Sequence, residues 1–476
     1  MLNNSIWERD IPQRENLNKN IETEIAIIGG GMAGILIGAI LKGCGKKAVI
    51  LEAGRIASGQ TANTTAKITA QHGYIYHNMI KKFGADKARL YLKANLDAVN
   101  WYAKYIEENK IDCEFSRTSA FIYSLYGTEK LEKEKAAYNT LGVACEMTDN
   151  TELPLPVAGA LRLDNQAQFD PLRFIAHISA NLEIYENTRV EKVVDNILFC
   201  KTGKVTAQHI VFACHYPFVN FPGMFFAREH QERSYVVALE NAQRISGMYI
   251  GIDKNSLSFR GAHDLLLLGG GGHRTGENSL GGKYDMLLRT AKSLYPKSAA
   301  FARWSAQDCI TADGIPYIGR FGGNDNTYIA TGFAKWGMST SAVAARLICD
   351  LICGKDNAAA AVFSPSRFSF TAAKGIAREV YHSSKGIIRQ NFCIPKSRLE
   401  NIPIGNGAVV IYEGKRVGVY RESAEEYHIV DTKCPHLGCR LEWNPDEKSW
   451  DCPCHGSRFD YSGRLITGPA QRGLNK

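Results

Sequence analysis

Four cysteines and two histidines stand close together near the end of the chain. They read Cys434-Pro-His436-Leu-Gly-Cys439 and, after 12 intervening residues, Cys452-Pro-Cys454-His455-Gly-Ser457. Thiolates and imidazoles are the ligands of soft and borderline metals, so this density calls for a metal or redox centre. A structural zinc site is the plain alternative, and the spacing argues against it, because Cys434-x-His436 is tighter than the C-x₂₋₄-C and H-x₃₋₅-H pairs of such sites. The other nine of the thirteen cysteines are scattered singly up to Cys393, which predicts reduced, structural thiols.

A second constellation is Gly29-x-Gly31-x-x-Gly34. The apolar run 24–28 predicts a strand, 33–42 has helical spacing, and 48–52 predicts a second strand, so the glycines sit in the turn of a βαβ unit. In such a unit the first glycine makes the tight turn, the second lets a pyrophosphate approach the backbone, and the third lets helix and strand pack closely. The helix N-terminus offers amides and the positive end of its dipole to the phosphates. Glu52, 18 residues beyond Gly34, is placed to accept hydrogen bonds from a ribose hydroxyl. The chain then runs through an extended Gly/Thr-rich segment, 58–67, which suits the lining of a large cofactor.

With Gly59-Gln-Thr61 through Lys67, Asp313-Gly-Ile-Pro-Tyr-Ile-Gly319 and Ala330-Thr-Gly-Phe-Ala-Lys-Trp-Gly-Met338, the chain resembles the FAD-dependent D-amino-acid oxidase superfamily, glycine oxidase and D-amino-acid dehydrogenases included, over about residues 22–355. The resemblance implies an α/β, Rossmann-like FAD-binding domain with an antiparallel-sheet substrate domain. The cofactor contacts it implies are Gly29, Gly31, Ala33, Gly34, Glu52, Thr61, Thr65 and Ala66, with Val190 meeting the adenine through its backbone. Gly332, Trp336, Gly337 and Met338 would open a helix aimed at flavin N1 and O2, where negative charge collects on reduction. Relatives that oxidise amino acids carry an arginine shortly before DGxPxIG to clamp the substrate carboxylate. Here that position is Asp308, with Arg303 a few residues earlier, so the carboxylate clamp is not expected.

The cysteine–histidine cluster resembles a Rieske [2Fe–2S] domain, a small all-β fold. The resemblance makes Cys434 and Cys452 the ligands of one iron and His436 and His455 those of the other, leaving Cys439 and Cys454 to form the disulfide of the cytochrome bc type. Ser457 matches a donor to a bridging sulfide, whereas Phe459 replaces a tyrosine whose hydroxyl donates to a ligand cysteine in high-potential relatives. Gly468-Pro-Ala470 resembles the loop that shields such clusters, and six residues follow it, fewer than a strand returning to the base sheet would use.

Positioning these groups needs several packed units, and 476 residues at about 150 per domain allow roughly three. Domain boundaries are expected at 1–355 for the oxidoreductase part, 356–395 for a linker, and 396–476 for the cluster domain. Within the first part, about 20–80, 150–220 and 305–355 are expected to bind the dinucleotide, and 81–150 and 221–304 to form the substrate domain. Residues 85–109, 129–141 and 337–353 predict helices. Strands are predicted at 183–194, 205–213, 234–240, 248–252, 264–268, where a glycine run begins, and 326–330.

The net charge of +9 is spread among interleaved acids and bases, so nucleic acid is not expected as a partner. One basic stretch, Lys374 to Arg398, reads as a soluble linker. The longest apolar run, 25–41, contains five glycines and predicts no transmembrane helix, and the N-terminus has no secretory pattern, which places the protein in the cytoplasm. His273 and Arg274, after the glycine run, are the polar candidates for catalysis. Together the resemblances imply a dehydrogenase that oxidises a small organic substrate (amine, amino acid or related) and passes electrons from FAD through the [2Fe–2S] cluster to an external acceptor. An oxygen-using oxidase and a non-enzymatic redox sensor or electron-transfer module are the alternatives.

Overall fold

The strand Ile21–Ile28 is buried over most of its length and pairs in parallel with Ala48–Leu51 on one side and Gly203–Phe212 on the other. Parallel strands are covered on both faces, which is why the buried half of this strand, 25–28, reads as a continuous run of Ile and Ala. The computed structural model describes residues 1–8, 10–323, 325–367, 376–377 and 398–475. The first sheet runs in the order Tyr317–Arg320, Thr327–Thr331, Gly203–Phe212, Ile21–Ile28, Ala48–Leu51 and Glu183–Tyr185, with Val190–Val194 and Ile197–Cys200 attached at its side. Helices Met32–Gly43 and Gly337–Ile352 pack side by side, and both carry residues of one large apolar core.

The expected strand 183–194 is divided in two. Between the halves Glu186 is fully buried, accepts from the amides of Ile56 at 2.7 Å and Arg14 at 2.9 Å, and pairs with Arg55 at 2.7 Å. A buried carboxylate needs such partners, and gathering them turns the chain out of the sheet.

The second sheet is antiparallel apart from one pair of strands. Its order is Ala299–Thr311, Glu229–Glu240, Leu265–Arg274, Ser258–Ala262, Met248–Gly251, Ser116–Ser124, Gly159–Gln168 and Lys67–Ile68, with Glu146–Thr148 pairing Gly159–Gln168. Strands Gly159–Gln168, Lys67–Ile68 and the part of Ala299–Thr311 beyond 304 therefore lie in this sheet, although they fall in segments expected in the dinucleotide part. Cross-strand pairing decides it, as in Tyr123 opposite Ala160 and Gln231 opposite Cys309. The glycine run does not end its strand: Gly269 and Gly270 pair with Val236 and Tyr235, and the register slips beside Gly271, whose φ of 67° favours glycine.

The C-terminal part holds two small sheets, Asn406–Tyr412, Lys415–Arg421 and Tyr427–Asp431, and Glu442–Asn444, Ser449–Asp451, Arg458–Asp460 and Leu465–Thr467. Trp443 and Trp450, with ring centroids 4.8 Å apart, fill its core with Leu441 and Phe459. The tail returns to the first of these sheets, where Asp431 N donates to Asn475 O at 2.9 Å. Of the expected linker, 356–367 packs on the first domain through the helix Ala360–Phe363 and an ion pair of Arg367 with buried Asp313 at 2.8 Å. Nearly all of the rest, including every basic residue of the 374–398 stretch except Arg398, lies outside the described residues. Among the described residues no helix is long and apolar enough to cross a membrane.

Candidate flavin and cluster sites

The glycine turn has the geometry its sequence predicts. Gly29 has φ of 110°, and a Cβ on Gly34 would lie 1.9 Å from Gly29 O, so strand and helix meet with no room for a side chain. Glu52 receives the amides of Gly30 and Gly54, each at 2.7 Å, and burial pushes its carboxyl up against their pull. Thr61 Oγ1 accepts from Met32 N at 2.9 Å and so caps the helix start.

These groups open on a cavity of about 960 Å³. Gly29, Gly31, Ala33, Glu52, Thr61, Val190, Gly332, Gly337 and Met338 line it. Gly34, Thr65, Ala66 and Trp336 do not. Gly34 serves the helix–strand contact, Thr65 offers its carbonyl to Arg260, Ala66 is buried at φ of 52°, and the Trp336 ring stacks on His72 at 4.6 Å. The cavity's size and its glycine floor at a helix N-terminus fit FAD, whose pyrophosphate would be held by Gly29–Gly34 and whose ring system by Gly332–Met338.

Asp308 lines the cavity, and burial pushes its carboxyl up to about 6 although Lys335 opposes this. Lys335 also lines it and pairs with Glu232 at 2.8 Å, and Glu232 stands opposite Asp308 in the sheet register. Sequence reasoning passed over Lys335 and Glu232, although Lys335 lies inside the quoted 330–338 segment. His273 and Arg274 are not brought to the cavity. His273 Nε2 lies 3.1 Å from Tyr235 OH, and the Arg274 guanidinium donates to Pro453 O at 3.3 Å and Cys454 O at 3.4 Å.

Those last contacts cross to the cluster domain, whose loops sit on the antiparallel sheet. Gln231 Nε2 donates to His455 O at 2.6 Å, Gln307 Nε2 to Gly456 O at 2.8 Å, and Asn278 Nδ2 to Asp446 at 2.9 Å. Arg233, 2% exposed, pairs with Glu447 at 2.8 Å, and Glu447 also takes hydrogen bonds from Tyr284 and Ser305. Asp446, Glu447, Lys448 and Thr467–Pro469 line the same cavity as the glycine turn, so the two domains enclose one space.

Within the cluster domain the four expected ligands converge. The rings of His436 and His455 are 4.9 Å apart at 90°, and Cys434 and Cys452 are buried side by side. A hydrogen bond from Cys452 holds the Cys434 thiol down against the opposing effect of burial. Cys439 and Cys454 form a disulfide between the two loops. His436 Nδ1 is buried and has no hydrogen-bond partner among the described residues. A buried imidazole nitrogen without a partner is a ready donor for a metal, and the pairing of two thiols with two imidazoles fits a Rieske cluster.

Comparison with known proteins agrees with this geometry. Residues 24–351 match the family described as FAD dependent oxidoreductase (DAO), and residues 394–476 match the Rieske [2Fe-2S] domain. The chain is 36% identical over 488 aligned residues to the Rieske 2Fe-2S iron-sulfur protein YhfW of Bacillus subtilis (strain 168), covering 98% of this chain and 96% of that one. Among solved structures it is similar in fold to glycine oxidase from Geobacillus kaustophilus (TM-score 0.62, 20% identity, 73% of this chain and 99% of that chain). L-proline dehydrogenase from P. horikoshii is similar in fold as well (TM-score 0.60, 18% identity, 73% and 98%).

Proposed function

The chain belongs to the FAD-dependent oxidoreductase (DAO) family and ends in a Rieske [2Fe-2S] domain, and from that premise we propose that it is a dehydrogenase whose substrate electrons leave the flavin through the cluster to an external acceptor. When bound, FAD takes two electrons from an organic substrate, and the cluster carries one at a time. The observation that carries this reading is the shared cavity: residues of the glycine turn, the antiparallel sheet and the cluster domain line one space, and Gln231 and Gln307 hold the His455–Gly456 loop.

The chain's own residues support roles around that space. The Arg233–Glu447 pair and the Asn278–Asp446 bond hold the cluster domain as one wall of the cavity. Asp308 presents a carboxyl group where amino-acid-oxidising relatives place a cation, and Lys335 is already paired with Glu232, so an amine fits this end of the cavity better than a substrate clamped by its carboxylate. We place the reaction in the cytoplasm, a reading supported by eight free cysteines outside the cluster among the described residues and compatible with a disulfide whose two residues are 1% and 2% exposed and so shielded from thiolate attack.

The test is an anaerobic screen of amines, amino acids and hydroxy acids that follows flavin and cluster absorbance together. A true substrate should reduce both. If no compound bleaches the flavin, the redox-sensor reading replaces this one. A bleached flavin beside an oxidised cluster, with stoichiometric peroxide under air, would make the protein an oxidase.

A further inference from the structure

Three cysteines that read as isolated in the sequence converge far from both cofactor sites. Cys44 is the C-cap of helix Met32–Gly43, Cys349 lies in the last turn of helix Gly337–Ile352, and Cys353 is that helix's C-cap. These are the two helices whose N-termini face the cavity. At about 1.5 Å per residue, their 12 and 16 residues put the cysteines roughly 18 and 24 Å from it along the helix axes.

The sulfur geometry is that of a ligand set. Cys44 Sγ and Cys349 Sγ are 3.5 Å apart, and all three Sγ atoms lie within 4.8 Å of one another. A disulfide needs about 2.05 Å. Thiolates bound to one metal at about 2.3 Å are separated by about 3.8 Å in a tetrahedral site and about 4.0 Å in a trigonal one, inside the observed range. Cys44 is exposed and Cys353 half-buried, so an ion can enter, while Cys349 is buried behind them.

Electrostatics select a cation here. Two helix C-termini meet at the cysteines, each with the negative end of its dipole, which favours a metal ion over bare thiolates.

We propose that Cys44, Cys349 and Cys353 form a trithiolate site for a thiophilic metal cation, Zn²⁺ or Cu⁺, with a fourth position open to water. Binding exchanges three S–H protons for three metal–sulfur bonds and changes no oxidation state. The bound ion would clamp together the far ends of the two helices that present FAD.

The probe is Cd²⁺, added anaerobically to reduced holoprotein, with Zn²⁺ and Cu⁺ in parallel arms to rank the natural cations. After dialysis, elemental analysis should find one cadmium per chain with iron and flavin unchanged, together with an ultraviolet thiolate-to-metal charge-transfer band. Cys44→Ser, at an exposed position that does not threaten folding, should weaken retention by more than the roughly 10–100-fold that loss of an outer-shell partner costs. Cys353→Ser should do the same. The proposal fails if the holoprotein retains no more cadmium than the Cys44→Ser/Cys353→Ser double variant, or if Cys44 and Cys349 are linked by a disulfide in the protein as purified.

Discussion

His436 Nε2 lies 2.8 Å from Asn220 Oδ1, so a ring expected to hold iron is tied to a side chain of the oxidoreductase domain more than 200 residues earlier. With Nδ1 turned to the metal position, Nε2 keeps its hydrogen and donates to the amide oxygen. An acceptor at the outer nitrogen makes the imidazole more basic and stabilises the oxidised cluster. Asn220→Leu should therefore raise the cluster potential by about 40 mV, the equivalent of roughly 1 kcal/mol for one electron. A redox titration read by the cluster's EPR signal measures it, and an unchanged potential would count against the assigned ligand geometry.

Removing the interdomain acid should loosen the docking. Glu447 stands between Arg233 at 2.8 Å and Arg458 at 3.3 Å. Although burial pushes its carboxyl up, Arg233 and Arg458 hold it down at about 2, below the ordinary 4.5. A depressed carboxyl stabilises the fold fully above its unfolded pKa, so this contribution should be complete above about pH 4.5 and lost as pH falls toward 2. Glu447→Gln leaves the Arg233 guanidinium buried and uncompensated, a cost of about 3–5 kcal/mol. Thermal unfolding from pH 7 to pH 3 should show a lower midpoint for the variant and a shallower acid slope than the parent.

Gly31→Asp should release FAD and spare the cluster. A Cβ at Gly31 meets only Thr61 Oγ1, at 3.4 Å, so the backbone tolerates a side chain there. The damage comes from a carboxylate facing the place of the pyrophosphate, where the helix dipole favours the ligand's charge and not a second anion. Flavin per chain should fall toward zero while iron stays at two per chain. Normal flavin content would mean that 29–34 is not the cofactor turn.

Phe459→Tyr addresses the cluster's sulfurs. Phe459 is fully buried in the same apolar group as Cys434 and Cys452. A hydroxyl that reaches a ligand sulfur stabilises the more negative, reduced cluster, and should raise the potential by on the order of 40–60 mV. An unchanged potential or a downward shift in the same EPR titration would show that the new hydroxyl points elsewhere.

The local chemistry was legible in the sequence because it depends on short-range spacing. Gly29-x-Gly31-x-x-Gly34 between two apolar runs dictates a turn that needs glycine at 29 for its positive φ and at 34 for its close helix–strand contact, and Cys434-x-His436 with Cys452-x-Cys454-His455 places four donors on two short loops whatever surrounds them. The ends of the division into sheets were not legible: Gly159–Gln168 and Gly269–Gly272 joined the antiparallel sheet because partner strands distant in the chain supplied their hydrogen bonds. The docking of the cluster domain through Asn220, Gln231, Arg233 and Gln307 belongs to the same class, since isolated polar side chains on a loop or strand carry no periodic signal that names a partner beyond residue 430. Cys44, Cys349 and Cys353 show the reason most plainly. A sequence orders residues along one dimension, and only the packing of two helices side by side brings sulfurs 305 residues apart to within 3.5 Å.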